Sequence, residues 1–415
     1  MSKKKAAVII ITVILAFTGS MLIWETGKTQ RDPEPESADE EAVDIRMLRP
    51  DERESTKDME PVLVSMSQEE KSRIRETVLQ AVEGCGDIYQ SVDKGSADNV
   101  VLKEEDRHRL TDCLAGQGYA SSCSSNDYNM RGAEALDEVL RQAELGKSVS
   151  TEFFTVTKSG TFEWRRLEFD AGELVMTYAS AAWEKGRGPN ISYMEKVQMY
   201  DWRYTEKGWL MLEKAKSKNH ELDMHSMYRV LPLTEECREY CRNYIEPVKY
   251  KASNLFLTEW DEGSMDKIVF NDVFDILYEM EHGQAYDDRQ SPGKVPAALY
   301  EAVITSWFPI SAEKLQQMPG YHEEEKSYDW TAVGLWNTSH QSQQVPEVVE
   351  VRHHQDGTVT LVVDAVYILE GQDAAFTHEV TMKPDESGHM KYVGNHILAG
   401  GKESISDYIP RMDYE

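Results

Sequence analysis

Positive charge is scarce in this chain of 415 residues: 45 Lys and Arg stand against 74 Asp and Glu, for a formal net charge of −29. That balance excludes general polyphosphate or nucleic-acid binding, whose affinity comes from Lys and Arg displacing counterions. Long apolar runs are equally scarce. Only residues 6–24 are free of charge over a length that spans a bilayer core, so the remainder is expected to fold in water. The common catalytic fingerprints are missing too. Gly116-Gln117-Gly118 runs into Tyr119-Ala120 with no third glycine in register, and there is no phosphate loop or Gly-x-Ser-x-Gly elbow. Calcium loops of the Asp-x-Asp-x-Asp-Gly type are absent, Tyr321-His322-Glu323 lacks a second His, and His353 and His354 point to opposite faces of a strand. No metal and no cofactor is expected.

The apolar run at 6–24 follows Lys3, Lys4 and Lys5, the flank expected on the cytoplasmic side of a membrane helix. Nothing between Phe17 and Met21 gives a good small-x-small cleavage site, so an uncleaved anchor is the expectation; cleavage would make the protein secreted. Residues 25–66 then hold thirteen acidic and six basic residues and almost no apolar periodicity, the composition of a disordered acidic stalk. The chain is therefore expected to contact the membrane through residues 6–24 and to present its mass outside the cytoplasm.

Ser67 and Glu70 form a capping box ahead of Ile74, Val78 and Val82, predicting a helix that Gly84 stops. A weaker helical pattern surrounds Leu110 and Leu114, and a stronger one covers 133–145. The period then changes to two, predicting strands over 153–156, 162–169, 174–183, 193–204 and 209–215. The same order recurs. A helix capped by Thr234, helices around Val273 to Met280 and Leu299 to Trp307, and a short one capped by Ser311 precede strands over 348–354, 358–368, 376–383 and 389–398. The expected fold class is α+β: membrane anchor 1–24, stalk 25–66, and two domains at 67–230 and 231–415, each with helices followed by a curved antiparallel sheet.

Helices ahead of a four-stranded meander resemble the cone-shaped domains of the nuclear-transport-factor-like and cystatin-like kind. The stretches Pro346-Glu347-Val348-Val349, Asp356-Gly357-Thr358, Val363-Asp364-Ala365-Val366, Ala375-Phe376-Thr377-His378-Glu379-Val380 and Tyr392-Val393-Gly394-Asn395 resemble a family of uncharacterised membrane-anchored proteins of Gram-positive anaerobic bacteria, known only as a domain of unknown function. The resemblance implies a surface location and supplies no catalytic residues.

Three constellations carry candidate chemistry. Asp364, His378 and either Asn395 or His396 would form an acid–base site if they converge inside the C-terminal cone, with a buried hydrogen-bond pair as the bland alternative. Tyr200, Trp202 and Tyr204 share a strand face that would serve as an aromatic platform, unless they pack in the core. Among Cys85, Cys113 and Cys123 a bridge is expected, with Cys113 to Cys123 the shortest loop. The leading expectation is a binding or cell-envelope assembly protein for an unknown protein or surface ligand. Two others stay open: a small-molecule lyase, isomerase or hydrolase, and an accessory subunit of a transport or conjugation machine.

Overall fold

The computed structural model describes residues 60–412 apart from 96–99, 125–127, 185–186, 216–224, 251, 290, 335–343, 399–400, 402–404 and 406–407. The expected membrane helix at 6–24 and nearly all of the stalk lie outside these residues. Among the described residues, no helix is long and apolar enough to cross a membrane.

The capping box opens the first helix as expected. Ser67 Oγ accepts from the Glu70 amide at 3.1 Å, and α1 (Gln68–Gly84) buries Ile74, Val78, Ala81 and Val82. Then come α2 (Gly86–Ser91), α3 (Glu104–Gly116), β1 (Ala120–Cys123), α4 (Glu134–Glu144), β2 (Val149–Val156), β3 (Phe162–Asp170), β4 (Glu173–Glu184) and β5 (Gly188–Gln198). These strands form one sheet in the order β1-β2-β3-β4-β5, antiparallel except for the parallel pair β1 and β2. Alternation decides which layer each residue joins. Phe154, Val156, Phe162 and Trp164 pack with α1–α3, whereas Phe153, Leu167, Phe169 and Met176 pack with Leu136, Leu140 and Ala143 of α4.

The single strand predicted over 193–204 is two strands in two sheets. Met199 and Tyr200 interrupt it, and β6 (Asp201–Tyr204) leaves to pair with β7 (Trp209–Glu213), which pairs in turn with β8 (His225–Arg229). The cysteine pairing also differs from the shortest-loop expectation. Cys113 is bridged to Cys85 across 28 residues with their Cα atoms 6.0 Å apart, and Cys123 takes no part. The reason is geometric: Cys113 on α3 faces the α1–α2 junction, while Cys123 ends β1 and is fixed beside Val156 of β2.

The second half starts at α5 (Glu235–Tyr240), whose Thr234 cap accepts from the Cys237 amide at 3.2 Å. Then follow β9 (Trp260–Asp261), α6 (Phe270–His282), β10 (Lys294–Pro296), α7 (Ala297–Trp307), α8 (Ala312–Leu315), β11 (Tyr321–His322) and β12 (Ser327–Asp329). The last four strands are the predicted meander: β13 (Val345–His353), β14 (Val359–Tyr367), β15 (Gln372–Pro384) and β16 (Met390–Ile397), with β9 added at the β16 edge. The inner face of this sheet meets α6, α7 and the 245–260 segment in the largest core, around Tyr250, Phe256, Phe274, Phe308 and Tyr392. Each such ring contributes about 1.5–3 kcal/mol by leaving water. Its outer face meets β7 and β8, where Val366 packs on Trp209, Met211 and Met227. The described residues thus form an α+β fold with eight α-helices and four sheets.

Candidate functional site

On the inner face of the C-terminal sheet, His378 is wholly buried between two partners. Its Nδ1 lies 2.6 Å from Asn395 Oδ1, and its Nε2 lies 3.0 Å from the Tyr250 hydroxyl. Asn395 donates through Nδ2 to the Thr258 carbonyl at 2.8 Å, which leaves its Oδ1 as the acceptor. Nδ1 of His378 therefore carries the proton and Nε2 accepts from Tyr250. Burial drives the imidazole pKa down to about 4, so it is neutral at physiological pH. Every ring nitrogen is satisfied within the protein, and the chain Tyr250–His378–Asn395–Thr258 holds the segment before β9 against β15 and β16.

Asp364 lies on the other face. In the β14–β15 register Asp364 is opposite Thr377 and His378 is opposite Val363, so carboxylate and imidazole are separated by the sheet itself. Asn395 therefore joins His378 and Asp364 does not. Asp364 belongs instead to a buried ionic cluster that the sequence reading did not collect. Its Oδ1 accepts from Thr377 Oγ1 at 2.6 Å, and its Oδ2 pairs with Lys207 Nζ at 2.6 Å. Directly across the other neighbour, Glu347 of β13 faces Asp364. Glu347 Oε2 accepts from Trp209 Nε1 at 3.2 Å, and Oε1 lies 3.5 Å from Arg229 Nε without a hydrogen bond. Arg229 donates instead to the Lys207 carbonyl and lays its guanidinium over the Trp209 ring, 5.6 Å from the centroid.

Two like charges opposed across a ladder and removed from water cannot both ionise cheaply. Burial pushes the Glu347 carboxyl up to about 7, against the pull of Arg229, and the Asp364 charge adds to the rise. The row Glu347–Asp364–Thr377 can thus hold a proton at neutral pH. The two carboxylates are enclosed: Glu347, Asp364 and Arg229 are all buried, Thr377 is half-buried, and Lys207 reaches solvent. A signal for Glu347 was present, a lone carboxylate in the apolar run Val345–Val349. Lys207 and Arg229 gave none, since a turn lysine and a lone arginine read as solvated.

The remaining candidates are dispersed. His396 is exposed and pairs with Glu259 at 3.4 Å. With Asn395, Trp260, Asp261, Glu262 and Thr381 it lines an outward-open hollow of about 460 Å³, to which neither Asp364 nor His378 contributes. The aromatic trio is not a platform. Tyr204 is buried with its hydroxyl 2.5 Å from Asp137, Trp202 packs on Phe169 at 4.6 Å and donates to the Gly172 carbonyl, and Tyr200 lies between β5 and β6. The face that Trp202 and Tyr204 share looks into the core beneath α4. His353 pairs with Glu236 and His354 with Thr360, on separate partners. Among the described residues, no group of three or more His, Cys, Asp or Glu is arranged to hold a metal ion.

An α+β protein whose two large sheets meet through a smaller one, with a buried ionic row at the junction, is the class that fold and site define. The chain belongs to a family of unknown function (DUF6070), whose model matches residues 71–411. No curated protein and no solved structure matches it.

Proposed function

We infer that this chain is an extracytoplasmic, membrane-tethered protein of the cell envelope that acts by non-covalent binding. The single observation that supports the extracytoplasmic location best is the Cys85–Cys113 bridge, because disulfides persist in oxidising compartments and are rare in the cytosol. The basic start and uncharged run at residues 3–24 supply the tether. Binding is favoured over catalysis because Asp364 and His378, the acid–base pair that an enzyme would use, face away from each other and are each satisfied internally.

The test uses intact cells producing the full chain. Trypsin added outside should digest the folded part while the cells remain whole, and the protein should sediment with membranes. A thiol-reactive polymer should modify Cys85 and Cys113 only after reduction and unfolding. Protection from trypsin until lysis, or both thiols reduced in freshly trapped cells, would overturn the location.

A further inference from the structure

The last described residues return to the first two turns of α6, where Asp272 and Asp275 are three apart and present their carboxylates to one point. The Arg411 guanidinium fills that point. Its Nε donates to Asp272 Oδ1 at 3.0 Å, Nη1 to Asp275 Oδ2 and the Thr331 carbonyl at 3.0 Å each, and Nη2 to Asp275 Oδ1 at 2.9 Å and the Asn271 carbonyl at 3.3 Å. Asp272 Oδ2 receives the Arg411 amide at 3.0 Å and lies 2.7 Å from the Tyr408 hydroxyl, which is 3.1 Å from the Ala252 carbonyl. The Arg411 side chain is 1% exposed, against 62% for Ile409 two residues before it.

The Asn271 wall of the receiving side is organised without help from this segment. Asn271 is held by its amide on the Asp329 carbonyl and by the Tyr300 hydroxyl, so the carbonyls that ring the guanidinium belong to the body of the fold. The segment itself adds no helix or strand. It is retained by two side chains three residues apart, which is how a short peptide is recognised by a preformed site. A planar fork satisfied on two carboxylates and two carbonyls also discriminates against lysine, whose ammonium has three donors and no fork. The matched family stretch extends through residue 411, so the segment lies within the sequence the family shares.

We propose that the first two turns of α6 form a recognition socket for an arginine in a Tyr-x-x-Arg segment, filled in cis by Tyr408–Arg411 and open, when that segment leaves, to the same segment of a second copy of this chain.

The probe is a fluorescent peptide of residues 408–412, titrated onto the full-length chain and followed by anisotropy. Arg411→Ala empties the socket and should bind the peptide at least about tenfold more tightly than wild type, where the tethered segment competes at high effective concentration. A peptide with Lys in place of Arg should lose about tenfold or more. Equal binding to both proteins, no binding to folded Arg411→Ala, or indifference to the Lys replacement would overturn the proposal. Should Arg411→Ala fail to fold, the wild-type chain still decides. Excess Arg peptide, and not the Lys peptide, should speed hydrogen exchange at the Arg411 amide, and no change at saturating peptide would overturn exchange in trans.

Discussion

Asp364 and His378 stand one step out of phase on neighbouring strands, so that one side chain enters the junction with β7 while the other enters the core beside Tyr250 and Phe256. They share no hydrogen-bond partner. Stability losses in Asp364→Asn and His378→Gln should therefore add in the double variant to within about 0.5 kcal/mol, measured by urea unfolding. A larger coupling energy would mean that the two networks communicate through the sheet.

Two buried groups give opposite pH slopes. His378 is pushed down to about 4 from an ordinary 6.5, so the unfolded chain takes up its proton first, and stability is lost as pH falls from 6.5 towards 4. Glu347 is pushed up to about 7 from 4.5, so the folded chain keeps its proton longer, and stability is lost as pH rises from 4.5 towards 7. The slopes offset each other between 4.5 and 6.5. In Glu347→Gln the upper loss should vanish, and its melting temperature relative to wild type should climb from pH 5 to about 7 and then level off. A constant difference across that range would contradict the protonated carboxyl.

The buried hydrogen-bond chain predicts the cost of a single oxygen. Tyr250→Phe removes the donor to His378 Nε2 in a site closed to water, which should cost about 1–3 kcal/mol in chemical denaturation. A neutral result would show that water reaches the imidazole.

The disulfide ties the junction of α1 and α2 to α3 across 28 residues. In Cys85→Ser, or after reduction, the longer freedom of the unfolded chain should lower stability by about 3–4 kcal/mol. The Cys123→Ser control should retain the bridge, as non-reducing electrophoresis would show.

Gly208 turns the chain from β6 into β7 and so sets where Lys207 meets Asp364. It has φ +86°, and a Cβ there would come within 2.5 Å of Leu231 Cβ. Gly208→Ala should cost more than about 1 kcal/mol by thermal melting. An unchanged melting temperature would mean that the turn and Leu231 relax freely.

What was legible in the sequence was local. Ser67, Thr234 and Ser311 cap helices as their side chains predict, because a cap concerns three or four consecutive residues. Alternation likewise placed Phe376, Val380 and Met382 with His378 on one face. Relations between segments were not legible. The break at Met199–Tyr200 hides inside two alternating runs that continue each other, and β1, Ala120-Ser121-Ser122-Cys123, has no residue of high strand propensity and exists because β2 offers it a parallel edge. The facing of Asp364 against His378 depends on register, which the one-turn 3-10 segment Ile368–Glu370 and the adjoining bulge set. Arg229, Lys207 and Glu347 meet only because three chain segments converge there.

Ahead of α1, Leu63 bridges to Val197: the Val64 amide donates to the Lys196 carbonyl at 2.8 Å, and the Gln198 amide to the Val62 carbonyl at 2.9 Å. Any tension arriving from the N-terminal side of residue 60 meets these two bonds before it meets helix or sheet. Residues 62–66, once peeled from the edge of β5, would release roughly 16 Å of extended chain at about 3.3 Å per residue. The five-stranded sheet is spared strain until that slack is spent, so the fold carries a short mechanical fuse at the point where a tether would pull.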